Sequence, residues 1–574
     1  MAVFPGECQR CLPGIFWGFL LTTTPNINHR RNLYSLWVNL AIGTSKPTKT
    51  AFHQIPGWPL CLPSLIKNRA RVLEETTILT LKHGPGFSIT LPGTRLVDVS
   101  KPEWLEYIQK TNFENYVKVI FGPMMHDIMF DVFGNGIFVV DGALWKRTRH
   151  ATSTIFTIKT FKLQLLKLAT SQNIILPASN KSMEGLIQIL SSTAQERRSI
   201  DFCDLFFRYT LDSFVQMTSV DFGKDLGLLR FQHANDQEQK KSSLKLPQKS
   251  IPFAEAFDYA QDHVDFRFAI LVGWQLIERL IGSIGKRFKD SCRVLDDYAY
   301  SLIDERMESQ MNQKSDYEEQ DPINTDLLGL FINARDERGG GLGRTELKDA
   351  IINLIIAGRD TTAEALSWAF FHLLMNKHAI QKIREEATEI LGDEKSREER
   401  VTYENYKRFT WTNAVIFETL RLHPSVPKNV KFAVADDQIP GGPTVEAGDM
   451  VRWSDWTMGR DASLWGPDCG EFIPDRWIDE KGRIKQYGQF KFHAFNGGPR
   501  VCLGMNLAIF QAIKVIVEVF QDFKLEFAPG WLDNVPKSEA IEGIKSRYST
   551  PMYRSSLTLP MANPMMISVQ PRAL

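Results

Sequence analysis

"FNGGPRVCLG", Phe495 to Gly504, sets one cysteine in a glycine-rich loop, with an arginine two residues before it and a glycine two residues after. The other cysteines, Cys8, Cys11, Cys61, Cys203, Cys292 and Cys469, are scattered, and the total of 7 is odd. Such a set is no disulfide framework and fits a reducing compartment. Cys8 and Cys11 form a CxxC pair, but no neighbouring His or Cys completes a zinc site. Cys502 is housed differently. It precedes the apolar run "LGMNLAIFQAIKVIVEVF", so it stands at a helix N-terminus, where backbone N–H groups and the dipole favour a thiolate and lower its pKa. Gly498 and Gly504 let another object approach the backbone, and Arg500 offers a fixed guanidinium fork to a carboxylate. A thiolate, close access and a carboxylate-binding arginine suit an iron porphyrin with propionates. A buried cysteine near a helix start would explain the sulfur, but not Phe495, Gly498, Arg500 and Gly504 at this spacing.

The totals are those of a globular chain. It has 574 residues, 43% hydrophobic and 24% charged, with a formal net charge of +1. No global basic balance points to nucleic acid, so a charged docking surface must be local. Residues 1–54 hold two short apolar stretches, "IFWGFLL" and "LYSLWVNLAIG", divided by His29 to Arg31. Neither reaches the ~20 apolar residues of a spanning helix, which leaves a weak anchor or interfacial segment. "IPGWPLCLP", from Ile55, reads as a linker into a catalytic body spanning 55–574.

"GFSITLPGTRLVDVS" alternates on both sides of Pro92-Gly93, a hairpin signal. Ser100 and Glu103 predict a capping box, with Pro102 in the first turn. From about Leu163 the spacing of apolar residues is mostly helical. Strand-like pieces recur near Val430 to Ala433, at Val451 to Trp453 and in the C-terminal tail. The fold class is mainly α with small β-sheets.

A long helix is expected from about Thr345 to Asn376. Its run "AIINLIIAGRDTTAEALSWAFFHLL" is apolar on nearly all sides, as in a core helix, and Arg359, Asp360 and Glu364 argue against a membrane span. Thr361 is placed to bond back to the Ala357 carbonyl and open the helix beside Gly358. An opened buried helix beside an acid and a hydroxyl would host a small ligand; a mid-helix surface patch is the plainer alternative.

Phe495-x-x-Gly498-x-Arg500-x-Cys502-x-Gly504 resembles the haem-binding loop of the cytochrome P-450 superfamily. "WKRTR" (Trp145, Arg149), "AGRDTT" (Ala357 to Thr362), "ETLR" (Glu418, Arg421) and "PDRW" (Pro474, Arg476, Trp477) lie in the family's order. A lone ExxR is usually a solvated ion pair; the ordered set is not coincidence. The resemblance implies the P-450 fold, with haem b (iron protoporphyrin IX) between the long helix and the cysteine loop. It implies Cys502 as the iron ligand, whose electron donation favours O–O cleavage. By the same resemblance Trp145, Arg149 and Arg500 bind propionates, joined by Lys431, while Phe495, Gly498 and Gly504 shape the haem loop. Glu418, Arg421 and Arg476 form a buried ion network, and Asp360 and Thr361 manage protons for dioxygen.

"NFENYVKV", "GIFVVDGALWKRTR", "FAEAFDYAQD", "RLHPSVPKNVKFAVADD" and "SLTLPM" are similar to the branch that hydroxylates long-chain fatty acids and alkanes at or near the terminus. Val426, Leu557 and Leu559 would then line the pocket. The implied partners are a NADPH–cytochrome reductase flavoprotein, a lipophilic substrate, dioxygen and a membrane surface, with the chain on the cytosolic face of the endoplasmic reticulum. Lys481, Arg483, Lys485, Lys491, Lys146 and Arg147 would receive the reductase. Other lipophilic substrates (sterol, terpenoid, xenobiotic), a haem-thiolate isomerase and a non-catalytic haem protein are the competing readings. The segments near 163–180 and 228–250 depart from the family pattern.

Overall fold

His53–Ile55 (β1) runs parallel to Gly86–Leu91 (β2), which turns back antiparallel as Thr94–Val99 (β3), so the alternating stretch forms the expected hairpin. The computed structural model describes residues 53–55, 69–91, 94–118, 124–155, 175–217, 252–270, 273–313, 327–333, 340–392 and 400–572. The sheet continues through Tyr116–Val117 (β4), Lys428–Ala433 (β6) and Met450–Ser454 (β9) in the order β1-β2-β3-β9-β6-β4. Ser199–Asp201 (β5) joins Phe523–Phe527 (β10) and Met566–Pro571 (β11) in a second sheet. Asp437–Gln438 (β7) and Thr444–Val445 (β8) form a small third one. His53 already pairs with Phe87, so the described sheet begins just ahead of the expected linker at Ile55 rather than after it.

Helices form the bulk. Those that position the site are Gly142–Ile155 (α1), Phe202–Met217 (α2), Pro252–Ile270 (α3), Arg344–Met375 (α4), Thr410–Leu422 (α5) and Met505–Asp522 (α6). α4 matches the expected long helix to within a residue at each end and packs against α2, α5 and α6. Phe206, Phe370, Ile416 and Phe520 share one core cluster, which binds these four helices together. A second cluster joins α3 and the N-terminal half of α4 to the first sheet.

The capping box does not form. The helix Pro102–Glu106 is capped by Lys101 without a side-chain bond, and the Ser100 hydroxyl donates instead to the Pro85 carbonyl at 3.1 Å. The hydroxyl serves the strand before it, because Pro102, having no N–H, already leaves the first turn with one donor fewer to cap. Among the described residues no helix is long and apolar enough to cross a membrane. The N-terminal anchor segment to residue 52, Cys8, Cys11, Cys61, the stretch 228–250 and residues 163–174 lie outside the described residues.

Candidate active site

The cysteine loop is closed by its own backbone: the Cys502 N–H donates to the Phe495 carbonyl at 2.9 Å. Gly498 has φ +62°, and a Cβ there would stand 2.5 Å from the Gln109 carbonyl oxygen, so glycine is required. Gly504 has an ordinary φ of −85° and caps α6. Cys203, Cys292, Cys469 and Cys502 are all unpaired, and Cys502 alone among them is exposed. Burial pushes its thiol up, while the N–H groups of Gly504 and Met505 and the Arg149 guanidinium pull it down. The net direction is upward, against the sequence expectation: the sulfur lies ahead of the first turn of α6, and desolvation outweighs the aligned donors. Cys292 is pushed up to about 12 and Cys203 further, both by burial.

Facing outward along the middle of α4 is a stripe at helical spacing. Leu354, Ala357, Gly358, Thr361 and Ala365 are half-buried, while Arg359, Asp360, Thr362, Ala363 and Glu364 are buried. Thr361 donates to the Ala357 carbonyl at 2.7 Å, as expected, but the helix stays α throughout. The hydroxyl adds to that carbonyl without breaking the ladder. Asp360 turns away from the stripe, accepting from Gln261 on α3 at 2.6 Å and from Arg359 at 3.0 Å. Burial pushes its carboxyl up to about 6 against the pull of Arg359. The patch is therefore interior, not surface.

A cavity opens beside the loop, lined by Gln109, Phe113, Lys118, Lys431, Trp453 and Arg500 among others. Burial and the Arg500 charge push the ammonium groups of Lys118 and Lys431 down to about 7. Gln109 Nε2, Trp453 Nε1 and Arg500 Nε are buried without a partner. Arg500 shares Asp141 with the Lys118 backbone N–H, at 2.6 and 2.7 Å. Crowded cations and orphaned donors mark a site built for anionic oxygens, and a carboxylated porphyrin whose iron reaches Cys502 fits this chemistry. Trp145 is buried under Arg500, with the guanidinium 4.4 Å above its ring. Arg149 lies elsewhere: it donates to the Val501 carbonyl at 2.7 Å, beside the sulfur. Lys118, Gln109 and Trp453 escaped sequence reasoning, although Lys118 stands inside the quoted "NFENYVKV".

Beneath the loop, Glu418 accepts twice from Arg421, each at 2.8 Å, and from Arg476 at 3.1 Å. The Ile473 N–H and Trp477 Nε1 complete it at 2.8 and 2.9 Å. Arg421 also donates to the carbonyls of Gly459, Cys469 and Glu471. Every charge in this network therefore has hydrogen-bonding partners, the condition for a buried ion group to hold its place.

Two loops are tied to α4 one turn apart. Ser425 donates to the Thr361 carbonyl at 2.8 Å, and Glu364 accepts from the Thr558 hydroxyl at 2.6 Å and the Leu559 N–H at 2.9 Å. Val426 is exposed and Leu557 half-buried, but Leu559 is sunk in the main core at 1% exposure. Glu364 draws it there, so of the three expected pocket residues Leu559 holds the loop rather than meeting a ligand. Several of the cations assigned to a reductase surface are occupied: Lys146 pairs with Glu114, Arg147 with Glu346 and Arg483 with Asp479, while Lys491 lies over Trp465 and Tyr487.

Comparison with known proteins agrees with this geometry. The family model described as Cytochrome P450 matches residues 54–542. The chain is 38% identical over 543 residues to Cytochrome P450 monooxygenase cyp1 of Mycosarcoma maydis, covering 93% of this chain and 77% of that protein. It is 33% identical to Cytochrome P450 704C1 of Pinus taeda, covering 77% and 81%. It is 27% identical to Alkane hydroxylase MAH1 of Arabidopsis thaliana, covering 83% and 87%.

Proposed function

The chain belongs to the cytochrome P450 family, and from that premise we propose that it hydroxylates a long-chain apolar substrate, a fatty acid or alkane, at or near its terminus. As a family member it is a monooxygenase with haem b as cofactor, and it uses dioxygen, a lipophilic substrate and electrons from a reductase. The overall reaction consumes one dioxygen, two electrons and two protons, and yields the alcohol and one water. When bound, the haem supplies dioxygen activation and oxygen insertion into the C–H bond.

This chain's residues then take the following parts. Cys502 offers the sulfur, held by the Phe495–Cys502 turn. Lys118, Lys431 and Arg500 meet the propionates, with Trp145 bracing Arg500 and Arg149 placing its charge beside the sulfur. Thr361 presents its hydroxyl on the open stripe and holds a proton near the reacting atoms. Asp360, its carboxyl pushed up to about 6, keeps a protonated fraction near neutral pH and is the acid that resupplies it. An intact Asp360-Thr361 pair favours the monooxygenase over a peroxide-rearranging isomerase.

The observation carrying the substrate reading is the pair of tethers on α4. Ser425 and Glu364 bring the Val426 and Leu557 loops within one turn of Thr361, beside the apolar stripe residues Leu354, Ala357 and Ala365. Apolar side chains around the hydroxyl suit a methylene chain, worth ~0.8 kcal/mol per buried CH₂. A terminal C–H is stronger than the methylene beside it, so terminal attack must be imposed by geometry. The named alkane-hydroxylase relative supports the reading. Affinity should rise along a series of roughly C12 to C18 acids and alkanes, with terminal or near-terminal alcohols found by chromatography. Binding indifferent to chain length, with rigid polycyclic compounds preferred, would favour a sterol, terpenoid or xenobiotic instead.

The electron donor in this proposal is a NADPH–cytochrome reductase flavoprotein, met on the thiolate side by Lys481, Lys485 and their neighbours, with the enzyme on the cytosolic face of the endoplasmic reticulum membrane. Multiple charge reversal there should slow the first electron transfer; an unchanged rate removes the surface. Cell fractionation tests the location.

A further inference from the structure

Behind the cationic cavity runs a chain of three polar side chains that none of the family motifs includes. His493, buried just ahead of the cysteine loop, faces Asp455 with Nδ1 at 2.7 Å and the Gln109 Oε1 with Nε2 at 3.0 Å. Asp455 begins the short helix after β9, and Gln109 lies on the helical turn Tyr107–Thr111. The Asp455 carboxylate accepts from the Nδ1–H, and the Gln109 amide meets the other ring nitrogen. Its other neighbours are the rings of Trp453 and Phe490, which supply no second charge. Gln109, 2% exposed, is left with an Nε2 group that has no partner, on the wall of the cavity containing Lys118, Lys431 and Arg500.

We propose that Asp455, His493 and Gln109 form a positioning relay: Asp455 holds the His493 ring, which grips the Gln109 amide and so fixes its unpartnered Nε2 group on a haem propionate. Retention of the haem is thereby coupled to a histidine remote from the iron ligand. The inference rests on reading this cavity as the propionate site.

The experiment is a double-mutant cycle on the holoenzyme, reading the rate of haem transfer to an apomyoglobin acceptor. His493→Gln and Gln109→Leu should each speed transfer about tenfold, the worth of roughly one hydrogen bond to a charged group. The double variant should be no faster than either. Additive effects, or no effect of His493→Gln, overturn the relay. If His493→Gln fails to fold, Asp455→Asn takes its place in the cycle; additive effects of Asp455→Asn and Gln109→Leu overturn the proposal. Lys431→Met separates the two levels: unchanged transfer in that variant rejects the cavity assignment itself, whereas faster transfer there with no effect at Gln109 and His493 rejects only the relay.

Discussion

Ser425 donates its hydroxyl to the main-chain carbonyl of Thr361 across 2.8 Å, joining the loop after α5 to the hydroxyl-bearing turn of the long helix. Val426 follows directly, so its position relative to Thr361 is set by one hydrogen bond. Val426→Ala should let a bound chain slide deeper and move oxidation inward by a carbon or more. Ser425→Ala, losing ~1 kcal/mol of restraint, should broaden the product distribution without abolishing turnover. Regioisomer ratios by chromatography check both; identical ratios in both variants would remove this loop from the pocket.

Cys502→Ser should lose the red-shifted carbon monoxide band of the reduced protein. Cys203→Ser and Cys292→Ser should keep it, since both thiols are pushed far up by burial and are half-buried within the core. Retention of the band in the Cys502 variant is the contrary outcome.

Thr361→Ala should still take up haem and substrate but waste reductant. With the hydroxyl gone from the open stripe, proton supply falters and hydrogen peroxide is released in place of product. Product formed per reductant consumed should fall several-fold, because peroxide release competes once the positioned proton donor is lost. An unchanged ratio takes Thr361 out of the mechanism.

Glu418→Gln should destabilise the protein by about 3–5 kcal/mol, because it strands Arg421 and Arg476 in the interior. Burial raises the Glu418 carboxyl, but the two guanidinium groups outweigh it and hold it below its ordinary value. Its pairing therefore stabilises above the unfolded carboxylate range and is lost as pH falls through the lowered folded value. The native-to-variant gap in denaturant midpoint should close on strong acidification; a gap constant with pH contradicts the assignment.

Haem uptake by the apoprotein should absorb protons at pH 8. Lys118 and Lys431, pushed down to about 7 by burial and Arg500, are largely neutral there without an anion. Propionates restore their charge, so binding takes up protons above about pH 7 and ceases to do so below about pH 6, where both are already charged. Calorimetry in buffers of different ionisation enthalpy gives the net number; the proton released by the Cys502 thiol is common to both proteins, so Lys118→Met with Lys431→Met should lower the net uptake. An unchanged proton count in the double variant would refute this account.

The backbone plan was legible because its signals are local. The β2–β3 hairpin, the bounds of α4, the Glu418–Arg421 pair and the Cys502 loop each depend on residues a few positions apart, where periodicity and turn chemistry act directly. Local reading failed where two local options competed. Ser100 could cap a helix or close a strand end, and packing chose the strand. Thr361 could break the α4 ladder or add to it, and a helix buried on its other faces kept its ladder. The thiol of Cys502 could be governed by the helix dipole or by desolvation, and only the crowding of distant segments showed that desolvation wins.

What the sequence by itself determined is the family, the singular setting of Cys502 and the order of the motifs, since each is a spacing along one chain. Only the tertiary structure decided which charges meet. Lys118, Lys431 and Arg500 lie far apart in the chain, yet they line one cavity because β4, β6 and the cysteine loop pack side by side. Gln109, Asp455 and His493 converge in the same way, as do Ser425 and Thr361. The physical reason is that a polar side chain carries no sequence mark of its partner: in a low-dielectric interior its charge, proton affinity and orientation are set by whichever groups folding places within a few ångströms.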